Sequence, residues 1–218
     1  MGSPRQDPML GWRLWRLRPE GLRSWAARCY WEPGANSAGC LSSNPCPRSP
    51  GSGCRCGFWA LFSPTRCLEH ARQDSGEQKT ALGLVQAWGE VALHGEEGFR
   101  TGNAAVVALF TDWVWDIEIQ PRSRVRSWWW RLLHAGDGAS SRRTPPDPDR
   151  EQLLTTMARM YAVPLLPLAE ALHSGFLGEV GVDAAHREEV RRLVERPAPS
   201  GGVSSGPRAG RDGMGDAA

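Results

Sequence analysis

Between Val85 and His94 apolar and polar side chains alternate: Val85, Ala87, Gly89, Val91 and Leu93 fall on one parity, Gln86, Trp88, Glu90, Ala92 and His94 on the other. A period of two marks a strand with one buried face. Gly95-Glu96-Glu97-Gly98 follows as a turn and Phe99-Arg100 resumes an extended run, so the segment predicts a β-hairpin with a four-residue loop. Leu10 to Leu17 begins the same way, with Leu10, Trp12 and Leu14 on one parity and Arg13 opposite. The parity then slips to Trp15 and Leu17, which predicts a bulge or the end of a short edge strand. Leu22 to Trp31 reads as a second strand or a short helix, and Trp25, Tyr30 and Trp31 favour the strand. Trp31-Glu32-Pro33-Gly34 is a turn signal. Ala104 to Phe110 is apolar throughout and fits either strand or helix.

The period lengthens toward the C-terminus. Asp149, with Gln152 three residues on, predicts a helix start, and Leu153, Leu154, Met157 and Tyr161 recur behind it at helical spacing. Pro164 and Pro167 interrupt, and Leu168 to Leu172 allows another turn or two. Asp183 caps a last helix with Val190, Leu193 and Val194 inward, ended by Pro197. Strands first and helices after read as α+β: a small antiparallel sheet and hairpin layer over about residues 10–120, packed with C-terminal helices. The expected organisation is a disordered N-terminus (1–8), a single domain over 9–196 with a flexible insertion at 135–147, and a disordered tail at 197–218.

Composition tests that picture. Leu, Ile, Val and Phe make up only about 18% of the 218 residues, a level at which disorder becomes plausible. Against it stand a net charge of only +2 and eleven Trp. Each large ring can bury ~150–250 Å². Much of the Gly and Pro collects in 41–53, 135–147 and 197–218, so the remainder is an ordinary globular composition in which Trp stands in for Leu and Ile. No apolar run opens the chain, and the longest, Ala104 to Phe110, is far below the ~20 residues that span a bilayer. The expectation is a cytoplasmic protein with no membrane partner.

Candidate chemistry is concentrated in one place. Cys29, Cys40, Cys46, Cys54, Cys56 and Cys67 fall within 39 of the 218 residues, and Cys40 to Cys56 bracket a Ser, Pro and Gly stretch with almost nothing to bury. Such a stretch stays mobile unless something pins it. Four thiolates around a tetrahedral Zn²⁺ would supply that free energy, so Cys40, Cys46, Cys54 and Cys56 are the candidate ligands of a structural zinc. Cys67-Leu68-Glu69-His70 offers a rival pair, Cys67 and His70, for the fourth position. One C-x-C with irregular partners is a weaker signal than two C-x2-C pairs, and the bland alternative is a set of buried, inert thiols. No Cys–His–Asx arrangement marks a nucleophilic cysteine.

Cys54-Arg55-Cys56-Gly57-Phe58-Trp59-Ala60 resembles a C-x-C-G-[apolar]-[aromatic]-A segment of a group of uncharacterised, mostly actinobacterial proteins. In that group a Trp-Pro-Gly segment and a lone Cys precede the pair, and Trp31, Pro33, Gly34 and Cys40 match here. Its G-x-V-x-L-x-G strand and following G-[aromatic]-R are matched by Gly89, Val91, Leu93, Gly95, Gly98, Phe99 and Arg100, and a later Tyr-x-x-Pro by Tyr161 to Pro164. The resemblance covers roughly residues 11–110 and part of 150–170. Two positions depart from it: His94 stands where the group often has Trp, and no His lies between Cys40 and Cys54, Cys46 being the nearest substitute. The resemblance implies a fold boundary and carries no activity.

Three functional readings follow. The first is a non-enzymatic, zinc-stabilised module that binds a protein or a small ligand, since Trp and Arg are favoured contact residues at interfaces. The second is a nucleic-acid-binding accessory protein using residues 122–143, where six Arg and Trp128 to Trp130 face a single acid, Asp137. The low net charge speaks against it. The third, an enzyme with a cleft beside the 85–100 hairpin, finds no H-E-x-x-H, G-x-S-x-G, P-loop or G-x-G-x-x-G pattern. Arg100 would be its best candidate, or else would pair with a neighbouring carboxylate.

Overall fold

The computed structural model describes residues 8–25, 29–73, 79–112 and 148–195. The expected disordered ends (Pro8 excepted), the 135–147 insertion and the Arg/Trp segment 122–143 lie outside the described residues. Within them the chain runs β1 (Met9–Arg18), β2 (Gly21–Ser24), β3 (Ala35–Ser37), β4 (Phe58–Leu61), α1 (Pro64–Gln73), β5 (Thr80–His94), β6 (Gly98–Phe110), α2 (Pro148–Tyr161), β7 (Leu165–Leu166), α3 (Leu168–His173), α4 (Phe176–Glu179) and α5 (Ala184–Val194). The fold is α+β: a seven-stranded sheet, antiparallel except where β7 runs parallel to β6, with most of the helices following it in the chain.

Pairing closes part of the sheet on itself. β5 pairs with β1 from Met9 opposite Ala87 to Arg16 opposite Thr80, and with β6 from Leu82 opposite Phe110 to His94 opposite Gly98. β4 lies against the first half of β6, and Trp12 opposite Leu61 joins β4 back to β1. The four strands thus form a ring, which removes the exposed edges of an open sheet.

This position explains the parity slip in β1, and corrects its reading as a bulge or an edge. The β1–β5 ladder is unbroken, and β1 is flanked by β2, β4 and β5. Both faces are buried instead. Trp12 and Leu14 pack with Leu84 and Phe110 and with Leu168, Leu177 and Val190 near or on α3 to α5. Trp15 and Leu17 pack on the other face with Phe99 and Leu109 and with Leu154 and Met157 of α2. A strand with helices on both faces has no need of a polar parity.

The predicted hairpin forms, with longer strands and a shorter loop, because Gly98 already pairs with His94. Its alternation is broken where Gly89 and Glu90 oppose the single Gly102. Gly89 sits at φ 81°, the left-handed conformation that such a bulge demands. Beyond it Leu93, expected on the buried parity, is 64% exposed.

The C-terminal elements follow their spacing. Leu154, Met157 and Tyr161 are buried, although α2 begins at Pro148, which places Asp149 inside the first turn, 3.0 Å from Lys79 Nζ, rather than at the cap. Asp183 does cap α5, its carboxylate accepting the His186 N–H at 2.9 Å. No helix among the described residues is long and apolar enough to cross a membrane.

The predicted turn at Trp31 is tied to α2 from below. Tyr161 Oη donates to the Trp31 carbonyl at 2.5 Å and accepts the Leu22 N–H at 3.2 Å. Tyr161→Phe orphans both groups, and the expected loss is about 1–3 kcal/mol, read as a lower urea midpoint at unchanged m-value.

Candidate metal centre

From Ser37 to Gly57 not one residue is buried and none packs on the core. Apolar packing therefore does not hold this segment in place. Its N-terminal end is fixed by polar contacts: Asn36 clamps the Trp31–Gly34 turn, with Oδ1 accepting the Glu32 N–H at 2.7 Å and Nδ2 donating to the Glu32 and Gly34 carbonyls. The Ala38 N–H then donates to the Gly102 carbonyl of β6 at 2.7 Å. Gly102 must be Gly, because a Cβ there would lie 2.2 Å from the Ser49 carbonyl oxygen of the loop. At the other end the segment leads into β4.

Between these ends the four sulfurs of Cys40, Cys46, Cys54 and Cys56 all lie within 4.8 Å of one another. Cys40 Sγ is 3.6 Å from both Cys46 Sγ and Cys54 Sγ, and Cys46 Sγ is 3.8 Å from Cys56 Sγ. A disulfide would need ~2.05 Å, and all six cysteines are free. The spacing is instead that of a tetrahedron: four sulfurs at ~2.3 Å from a central ion stand ~3.8 Å apart. The small volume they enclose suits one ion and not a polynuclear cluster.

Local structure is built around the sulfurs. A Cβ on Gly51 would meet Cys46 Sγ at 2.4 Å, and the Gly51 N–H donates to Cys56 Sγ at 3.2 Å. That N–H holds the Cys56 thiol down at about 6. The Cys46 N–H, with that of Ser42, likewise holds Cys40 below the usual thiol value. Cys46, crowded first by Cys54 and then by Cys40, is pushed up to about 12. Four sulfurs so close cannot all ionise without a cation among them, and a soft dication is the group that removes the conflict.

Arg100 completes the arrangement. It is 6% exposed, and among the described residues it meets no carboxylate. Its Nη1 donates to the carbonyls of Cys54 and Cys56, the latter at 3.0 Å, and its Nε donates to His94 Nε2 at 2.7 Å. His94 Nε2 is therefore the acceptor, which leaves the ring proton on Nδ1. Trp59 stacks on His94 with centroids 4.4 Å apart, and the Arg100 guanidinium sits 5.4 Å from the Trp59 ring. Sequence reasoning singled out Arg100 for a cleft or a carboxylate partner. The structure places it on the carbonyls of Cys54 and Cys56. Nothing in the sequence separates Gly51 from the other loop glycines.

The rival ligands are elsewhere. Cys67 is 2% exposed in the core beneath α1, where burial pushes its thiol up, and His70 is exposed on the outside of the same helix. Neither joins the sulfur cluster. A cavity of about 200 Å³ lies between the start of β1 and α5, lined by Leu10, Trp12, Phe62, Leu84, Asp183 and His186 among others. No protein-family model, curated protein or solved structure matches the chain.

Proposed function

We propose that Cys40, Cys46, Cys54 and Cys56 hold one structural zinc ion, and that the protein is a non-enzymatic module whose zinc-pinned loop presents a surface to a protein partner. The observation that carries this reading is the gathering of four sulfurs within 4.8 Å in a segment without a buried residue. Zinc supplies the ordering free energy that burial does not. The charge balance points the same way. Four thiolates around a dication leave a net double negative charge. Arg100, a buried cation that meets no carboxylate among the described residues, offsets it through the ligand-bearing turns, where unpaired it would be costly. The surface so fixed carries Trp59, 40% exposed, and Arg55, residue types favoured where proteins meet.

Elemental analysis of protein purified without chelator is expected to give one zinc per chain, and Cys54→Ser none. Less than a tenth of an equivalent in the wild type after zinc repletion, or iron in its place, overturns the assignment. Arg100→Ala tests the supporting contact. Losing a group that orients ligands typically costs 10–100-fold in metal affinity, to be read by competition with a chromogenic chelator.

A further inference from the structure

We propose that the same four sulfurs form a peroxide-sensitive modification site that closes into two particular disulfides, Cys40–Cys54 and Cys46–Cys56. The inference rests on the metal reading only for the release of the ion; the bridges themselves require only the thiols. Three sulfur pairs approach at 3.6–3.8 Å in hydrogen-bonding geometry, Cys40 with Cys46, Cys40 with Cys54, and Cys46 with Cys56, while all four lie within 4.8 Å of one another. Of the three ways of sorting four sulfurs into two bridges, only Cys40–Cys54 with Cys46–Cys56 takes both bridges from these three approaches. The alternative that starts from Cys40–Cys46 leaves Cys54 to join Cys56 across a single residue, a tight and strained ring. Contact distances of 3.6–3.8 Å must shrink to ~2.05 Å, which a loop with no buried residue accommodates without disturbing the core.

Access and selectivity follow from burial. The four sulfurs lie in half-buried residues on a loop with no buried residue, open to a small hydroperoxide. Cys67 is shut in the core and serves as an internal control. In each pair one thiolate sulfur attacks a peroxide oxygen, the O–O bond breaks, hydroxide leaves and a sulfenic acid forms. The second thiolate then attacks that sulfur, the S–S bond forms, the S–O bond breaks and a second hydroxide leaves. Each pair gives up two electrons to one peroxide, so a chain consumes two. With its thiolates gone, the ion leaves as the hydrated dication.

The test treats the full chain with hydrogen peroxide at two equivalents, maps the bridges by mass spectrometry of unreduced peptides, and follows ion release with a chromogenic chelator. Expected are Cys40–Cys54 and Cys46–Cys56, both reversed by a dithiol, ion release in step with their formation, and a reduced Cys67. In Cys46→Ser the Cys40–Cys54 bridge should form alone and leave Cys56 free. Any other pairing, a Cys54–Cys56 bridge in that variant, or sulfinic acid without bridges overturns the inference. A chain that holds no metal yet forms these two bridges overturns the zinc assignment and supports this one. A zinc-bearing chain that forms different bridges does the reverse.

Discussion

Stripping the ion with a strong chelator is expected to release residues 38–57 while the sheet and its helices stay folded. Neither hydrophobic cluster draws a residue from that segment, so its loss removes no core contact. What remains to order it is sparse: the Ala38 N–H on the Gly102 carbonyl, the weak Cys54-to-Gly51 backbone bond at 3.3 Å, the Arg100 contacts, the Trp59 Nε1 donation to the Arg55 carbonyl and the surface Arg48–Glu90 pair at 3.5 Å. Such a segment opens with a free energy near zero, and its amides then exchange at close to the rates of unstructured chain. Hydrogen exchange read by mass spectrometry should show peptides from 38–57 losing protection on chelation and regaining it with zinc. Peptides of β5 and β6 should not change. The Gly51 amide is the sharpest probe, because its acceptor is the Cys56 sulfur. A loop equally protected with and without metal would mean that the sulfurs gather for another reason. Collapse of the whole protein would mean that the ring of strands depends on the loop, against the division of the core.

The cluster was legible because its chemistry is local. Four cysteines bracketing a stretch with nothing to bury state both the problem and its solution within seventeen residues, without any need of tertiary contacts. The hairpin was legible for a similar reason, since a period of two and a glycine-flanked turn are neighbours in sequence. The faces were harder. Trp15 and Leu17 looked like a break in β1 because alternation signals one buried face, and nothing local says that helices more than a hundred residues away cover both. Arg100 was visible as a notable residue, but its partners are carbonyls that any residue supplies, so no pattern of side chains announces them. Arg13 was read as facing away from the apolar parity. It does face away from Trp12 and Leu14, but onto a covered face: its guanidinium lies over Trp31 at 4.8 Å and donates to Ser24 Oγ and the Trp59 carbonyl, and desolvation lowers its pKa to about 10.

Replacing Trp15 with Ala should cost more stability than any other single change in β1, about 3–5 kcal/mol, a third or more of what a typical domain has. Trp15 is fully buried where β1 meets α2, edge-on to Trp31 at a centroid distance of 5.4 Å. Removing it opens a large cavity that strands fixed in a ring cannot collapse to fill. Trp15→Phe separates the area of the ring from its polar atom. Trp15 Nε1 is buried and has no hydrogen-bond partner among the described residues, whereas Trp31 Nε1 donates to Ser24 Oγ at 3.1 Å. Phe at 15 keeps most of the apolar surface and deletes an orphaned donor whose burial costs about 1–3 kcal/mol, so its expected net effect is small. Phe at 31 breaks a made bond and leaves Ser24, which also receives Arg13 Nη2 at 3.2 Å, with one donor fewer. Urea midpoints at constant m-value should therefore rank wild type close to Trp15→Phe, then Trp31→Phe, with Trp15→Ala far below. If Trp15→Phe falls as far as Trp15→Ala, the indole nitrogen has a partner, and the volume argument for Trp15 is wrong.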